Sequence, residues 1–224
     1  MIKFEKVSYR QFEEAYIELN PELTCQEIQA MYDKLELPKR ATTASAGYDF
    51  KAPFAFELAP GETIKIPSGI RAIMPDNVVL LCFPRSGLGF KYRFQMDNSI
   101  PVIDADYYKS DNEGHIFFKC TNDSKQGKVV NIEAGKGFAQ GIFVNYLTTD
   151  NDNATGERNG GMGSTDKAQT KERINIPEPK IPRIQDVKVG DVWQYPYQIT
   201  CEQPTTRYTR ELGLTTESGV VALK

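Results

Sequence analysis

Val78-Val79-Leu80-Leu81-Cys82-Phe83 is an unbroken apolar run, closed on one side by the turn residues Pro75-Asp76-Asn77 and on the other by Pro84. It reads as a buried β-strand. Gly141-Ile142-Phe143-Val144 reads the same way. Pro60-Gly61, Pro67-Ser68-Gly69 and Glu133-Ala134-Gly135 mark further turns, so the chain from Lys39 to about Tyr146 is divided into several short strands. That pattern predicts an all-β sandwich or barrel.

Both flanks differ from this core. Upstream, Ser8-x-x-Gln11 opens a stripe of Phe12, Ala15, Tyr16 and Leu19 at helical period, and Asn20-Pro21 ends it. Thr24-x-x-Glu27 opens a second helix with Ile28, Met31, Tyr32 and Leu35 on one face, ending before Pro38. Aromatics on a single amphipathic stripe are packing residues. Residues 1–37 are therefore expected to form a helical extension and residues 38–147 the β core. Residues 148–167 are expected to be a mobile linker running into a glycine-rich lid. The remainder, 168–224, carries Pro177, Pro179 and Pro182 and then Val187 to Tyr195 with partial strand alternation, a tail of partly β character.

Composition excludes several classes. A formal net charge of −3 over 224 residues supplies no basic face for sequence-independent nucleic-acid binding, so any phosphate binding is local. No apolar run reaches the roughly 18 residues of a membrane span, and Met1 to Lys6 lacks a signal-peptide core. A cytoplasmic protein without membrane contact is expected. Cys25, Cys82, Cys120 and Cys201 are scattered with no C-x-x-C pair, which fits reduced thiols and no zinc.

Three segments carry chemistry. Ser99 to Tyr108 places Asp104 and Asp106 one residue apart after an apolar strand, on one face if extended, where two like charges call for a cation, a metal or a shared proton. Phe83-Pro84-Arg85-Ser86-Gly87-Leu88-Gly89 sets a guanidinium fork and a hydroxyl in a glycine-rich turn suited to phosphate oxygens. Gly160-Gly161-Met162-Gly163-Ser164-Thr165 is a second glycine-rich segment bearing hydroxyls.

In this order the segments resemble the trimeric dUTP pyrophosphatases (dUTPases), whose members carry five short motifs. Ala46-Gly47-Tyr48-Asp49-Phe50 resembles the first, Pro84-Arg85-Ser86-Gly87 the second, Asn98 to Tyr107 the third, Gly137-Phe138-Ala139-Gln140 the fourth and Arg158 to Thr165 the fifth. The resemblance covers about residues 38 to 167, spacing included. It implies a jelly-roll fold, a homotrimer whose sites are assembled from three subunits, and Mg2+-dependent hydrolysis of dUTP to dUMP and pyrophosphate. Asp104 falls on the family's catalytic aspartate. Arg85, Ser86, Gly87 and Gln140 match residues that contact the phosphate chain, and Arg158 the residue assigned to the terminal phosphate. Asn98 matches the uracil-contacting asparagine and Tyr107 the tyrosine against the deoxyribose. Asp49 is expected to hold metal-bound waters, and Asp106 to pair with Arg85.

Departures accompany the matches. The fourth motif usually carries an arginine where Gly137 stands, and Met162, beside Gly163 and Ser164, replaces the phenylalanine that covers uracil. Lys109 to Glu113 are extra residues in the third motif, and the sole histidine, His115, is read as an exposed loop residue. Ser86 has no His or Lys in its motif to activate it as a nucleophile. Two other readings stand beside the hydrolase. One is a dCTP deaminase of the same fold. The other is a nucleotide-dependent interaction protein that meets a protein partner through its N-terminal or C-terminal extension.

Overall fold

The computed structural model describes residues 1–156, 158 and 160, together with the backbone of 192–194, 214–217 and 220–223. Met1–Thr170 forms one compact unit and Lys171–Lys224 a second.

The first unit begins with β1 (Lys3–Lys6), α1 (Tyr9–Leu19) and α2 (Cys25–Asp33), followed by β2 (Lys39–Arg40), β3 (Tyr48–Lys51), β4 (Phe56–Leu58), β5 (Thr63–Pro67), β6 (Ile70–Ile73) and β7 (Val78–Pro84). Then come α3 (Ser86–Tyr92), β8 (Phe94–Met96), β9 (Val102–Ile103), a 3-10 turn at Tyr107–Lys109, β10 (Phe117–Asn122), β11 (Val130–Ile132) and β12 (Gly137–Asn145). All strand pairs are antiparallel. The largest sheet runs β2-β3-β12-β7-β9; β5-β10-β8 forms a second, and β1-β6 and β11-β4 form two-stranded ribbons. This is a jelly-roll-like β fold, as expected.

The decisive strand departs from its reading in one respect. In β7, Val78, Leu80 and Cys82 are buried while Val79, Leu81 and Phe83 are half-buried, so it alternates like a strand covered fully on one face only. The buried face joins Phe50, Ile66, Phe94, Phe118, Phe138 and their neighbours in one apolar core.

The extension is more than helices. β1 pairs with β6, Lys3 opposite Ile73 and Lys6 opposite Ile70, so the chain enters as part of a β ribbon. From α1 and α2, Phe12, Tyr16 and Ile28 pack with Val7 in a second cluster, and Phe54 touches both clusters. Tyr16 donates its hydroxyl to the Pro67 carbonyl at 2.9 Å and Tyr32 to that of Val7 at 2.7 Å. The helix aromatics are packing residues, as their periodicity predicts. Gly69, at φ +72°, is required between the lobes: a Cβ there would run into Leu35 and the Phe12 ring.

His115 overturns its expectation. Its side chain is wholly buried, 4.4 Å from the Phe117 ring, and Nε2 accepts the Gly69 N–H at 2.8 Å. Desolvation pushes its pKa down to about 3. Cys82 and Cys120 are free and buried, and burial raises each thiol to about 12.

In the second unit β13 (Val192–Gln194) and β14 (Leu214–Glu217) flank β15 (Val220–Leu223) in an antiparallel sheet, with Trp193 opposite Val221. The partial alternation before Tyr195 does mark a strand.

Candidate active site

β12 brings three of the sequence segments side by side. Gln140 stands opposite Asp49 of β3 on one side and Phe83 of β7 on the other. Its Nε2 donates to the Pro84 carbonyl at 3.3 Å, and the Arg85 N–H donates to Phe138 at 3.1 Å. Arg85 then ends the strand and caps α3, so Ser86 and Gly87 fall in the first helical turn, whose N–H groups have no partner within the helix. A pocket of about 530 Å³ opens here, lined by Pro84, Arg85, Ser86, Phe90, Gln140 and Ile142 among others.

Two glycines make this geometry possible. A Cβ on Gly47 would stand 2.6 Å from Gln140 Oε1, and one on Gly137 would stand 2.9 Å from Arg85 Nη1. The Arg85 side chain thus fills the space that a side chain at 137 would need. Arg85 Nε lies 3.3 Å from Asp49 Oδ1, so its carboxylate partner is Asp49 and not Asp106.

A second group forms after β9. Ile103 is buried opposite Leu80, and the chain turns at Asp104, whose carbonyl accepts the Tyr107 N–H at 3.1 Å. Arg158 Nη1 donates to Asp104 Oδ2 at 2.7 Å and to Asp106 Oδ1 at 3.0 Å, and its guanidinium lies 5.1 Å from the Tyr107 ring centre. Partial burial alone would lower the Arg158 pKa, but hydrogen bonds and charge from the two carboxylates outweigh it and raise the pKa. The like-charge problem posed by the two aspartates is therefore solved by a cation. Tyr107 is only 2% exposed and its hydroxyl donates to the His115 carbonyl at 2.8 Å, so its phenol is a core group as well as a neighbour of Arg158.

Asn98 sits apart from both groups, on the hairpin between β8 and β9, where Ser99 adopts φ +64°. With Lys65, Asp97, Phe117 and Lys119 it lines a pocket of about 330 Å³. Met162, Gly163 and Ser164 lie outside the described residues. Among the described residues no cluster of three metal-ligating side chains occurs, and no helix is long and apolar enough to cross a membrane.

The dUTPase family model matches residues 33–166. The chain belongs to the dUTPase family. A deoxyuridine 5'-triphosphate nucleotidohydrolase of Lactococcus lactis is 42% identical over 134 residues, covering 58% of this chain and 88% of that protein. The crystal structure of a Streptococcus mutans dUTPase is 34% identical with a TM-score of 0.49, covering 66% of this chain and 98% of that one. A mutant dUTPase from phage phi11 of S. aureus, which coordinates a structural Mg(II) ion, is 17% identical with a TM-score of 0.49, covering 70% and 97%. The enzyme is a dUTP diphosphatase, and dUTP hydrolysis is the chemistry its site residues must perform.

The motifs single out polar and charged side chains but not what makes room for them. Gly47 is legible only as part of Gly-Tyr-Asp, and Lys109 to Glu113 read only as extra residues, with nothing to show that they close on Tyr107.

Proposed function

We propose that this dUTP diphosphatase works as a homotrimer in which Asp104 is the general base that activates water against the α-phosphorus of dUTP. The observation carrying this reading is the turn after β9. A buried Ile103 and the Tyr107 N–H bond fix the backbone there, while the Asp104 side chain is left about half exposed, 52%, at the strand end. A carboxylate so held is aimed but reachable, as a base must be. Arg85, with the Ser86 hydroxyl and the Gly87 N–H, binds the phosphate chain; Gln140 adds an amide donor. Arg158 holds Asp104 through one Nη, and the terminal phosphate, a stronger anion, draws the guanidinium onto itself and frees the base. The hairpin around Asn98 reads uracil, Tyr107 packs by the deoxyribose, and Met162 to Ser164 close as a lid.

The trimer is supported by a distance. Asp104 follows the Ile103–Leu80 pair and so faces the rung of Val79. Arg85 is six residues further along β7, roughly 20 Å at the rise of a strand. One chain cannot set both on neighbouring phosphates, so the base of one subunit serves the arginine of another. Phe90, 93% exposed, and the exposed Val144, Tyr146 and Leu147 supply apolar surface for such contacts.

Mg2+ fits the donor set in one way. No cluster of three metal-ligating side chains occurs among the described residues, so Mg2+ would be held through substrate phosphates and water, with Asp49 as the carboxylate that would hold such waters. When bound, it offsets phosphate charge.

Pyrophosphate release from dUTP, dTTP, dCTP and UTP, with and without Mg2+, tests the reading. Turnover is expected with dUTP and Mg2+ only, and Asp104→Asn is expected to lower it by about 10²–10⁴-fold. Uracil nucleotide release from dCTP would instead indicate the deaminase. A monomer in light scattering that turns over fully would overturn the shared site.

A further inference from the structure

The extra residues of the third motif tie the N-terminal lobe to the turn that carries Asp104. Glu113 reaches the start of α1, where its Oε2 accepts the Ser8 N–H at 2.8 Å and its Oε1 the Ser8 hydroxyl at 2.6 Å. It does so from φ +57°, a left-handed conformation that disfavours glutamate, so this backbone favours glycine and the carboxylate is what the position offers. One residue before it, Asn112 Nδ2 donates to the Tyr107 hydroxyl at 2.8 Å, while Asn112 Oδ1 accepts from the Ser110 hydroxyl at 2.9 Å and the Gly114 N–H at 3.2 Å. The single Ser110 O–H is shared between Asn112 Oδ1 and the Tyr107 carbonyl. Gly114, at φ +73°, lies so close to the Tyr108 backbone that no Cβ fits. The loop is thus closed under Tyr107 and Tyr108, and Tyr107 in turn is bonded to Asp104.

A second strut runs parallel. The Tyr107 hydroxyl donates to the His115 carbonyl, the His115 ring accepts from Gly69, and the Gly69 carbonyl accepts the Val7 N–H at 3.0 Å. Both struts start at the root of α1 and end on the tyrosine three residues after the base.

We infer that Glu113 and Asn112 are positioning residues for dUTP hydrolysis, through which the N-terminal lobe holds the Asp104–Tyr107 turn in its working geometry. This rests on Asp104 being the base. Phosphate and uracil are bound by residues on other elements, and the Tyr107 ring beside the deoxyribose is also held by the core cluster, so releasing the brace misplaces the base and lowers kcat while KM is little changed. A misplacement of an ångström at a reacting group costs up to about a hundredfold, and a loosened brace is expected to cost about tenfold.

The experiment compares kcat and KM for dUTP in the full-length enzyme and in Glu113→Ala, Glu113→Gln, Asn112→Ala and Thr24→Ala, with melting temperatures for each. Thr24→Ala removes a cap whose side-chain hydrogen bonds all go to Glu27, and reports what loss of stability alone does. The expected result is a kcat about tenfold lower in Glu113→Ala at near-constant KM, partial recovery in Glu113→Gln, which keeps one acceptor oxygen for Ser8, and an unchanged kcat in Thr24→Ala. Should Glu113→Ala fail to fold, Glu113→Gln and Asn112→Ala carry the same kcat-against-KM split. A kcat that stays at the wild-type value in the folded variants, or falls equally in Thr24→Ala, overturns the inference. Asp104→Asn in the same assay separates the two readings: full turnover there defeats the base assignment, whereas its loss beside an unaffected Glu113→Ala defeats only the brace.

Discussion

α1 and α2 start with the same kind of signal and are finished differently. At α2, Thr24 and Glu27 cap each other's N–H groups in a closed box four residues long. At α1, the Ser8 side chain accepts the Gln11 N–H, but its own N–H and hydroxyl go to Glu113, 105 residues away. A local cap stabilises one helix and nothing else. A remote cap makes the start of a helix and a distant loop conditional on each other, and here that loop is the one closing on Tyr107.

The largest way to break the comparison is Gly114→Ala. It demands a left-handed backbone and drives a Cβ into Tyr108, and a cost of about 3 kcal/mol is expected in urea melts. Gly127→Ala, at φ +67° with open space around it, is expected to cost about 1 kcal/mol.

Acid tests the second strut, through His115, without mutation. The unfolded His115 takes a proton near pH 6.5 while the folded one resists until about pH 3. The unfolded state therefore binds more protons in that window, and stability falls as pH falls, by about 1.4 kcal/mol per unit well below 6.5 and about 2 kcal/mol in all at pH 5. Glu113, whose pKa is held below its usual value by Ser8 against desolvation that would raise it, loses its contribution only at lower pH. Melts between pH 6.5 and 5 hence report His115, and His115→Gln is expected to flatten the slope.

The finest contrast is between the two caps themselves. Thr24→Ala and Ser8→Ala are each expected to cost about 1 kcal/mol of stability, measured by thermal melts. Only Ser8→Ala is expected to lower kcat as well. Equal turnover in both would mean that the remote cap is merely another cap.

What the sequence made legible follows the reach of its signals. The Phe12-Ala15-Tyr16 stripe and the Thr24–Glu27 box are written in neighbouring residues and fold as read; β7 and β12 are strands as read, but one face of each is only half-buried, and Val144 is exposed. The motifs were legible as phosphate and carboxylate chemistry. The pairing of Arg85 with Asp49 was not, because it depends on β12 lying between β3 and β7 and on Gly137 leaving room. His115 was misread because Gly69, whose N–H it accepts, and the Phe12 ring lie 46 and 103 residues away in the chain; the apolar run Ile116-Phe117-Phe118 beside it was the signal of burial. β1 is too short and too mixed in polarity to stand out, and only its partner β6 makes it a strand.

The pairing of β12 slips between Gly137 and Ala139, and from there to Asn145 it keeps step with β7 without interruption. Side chains alternate across a strand, so gaining or losing one codon between 139 and 141 would turn Gln140 to the opposite face and detach it from Pro84. Gly61, Gly127 and Gly135, each with open space around it, sit in turns where the same event does no such harm. Length change is thus expected to be tolerated at the open turns of Gly61, Gly127 and Gly135 and barred from the strand that keeps the first, second and fourth motifs abreast.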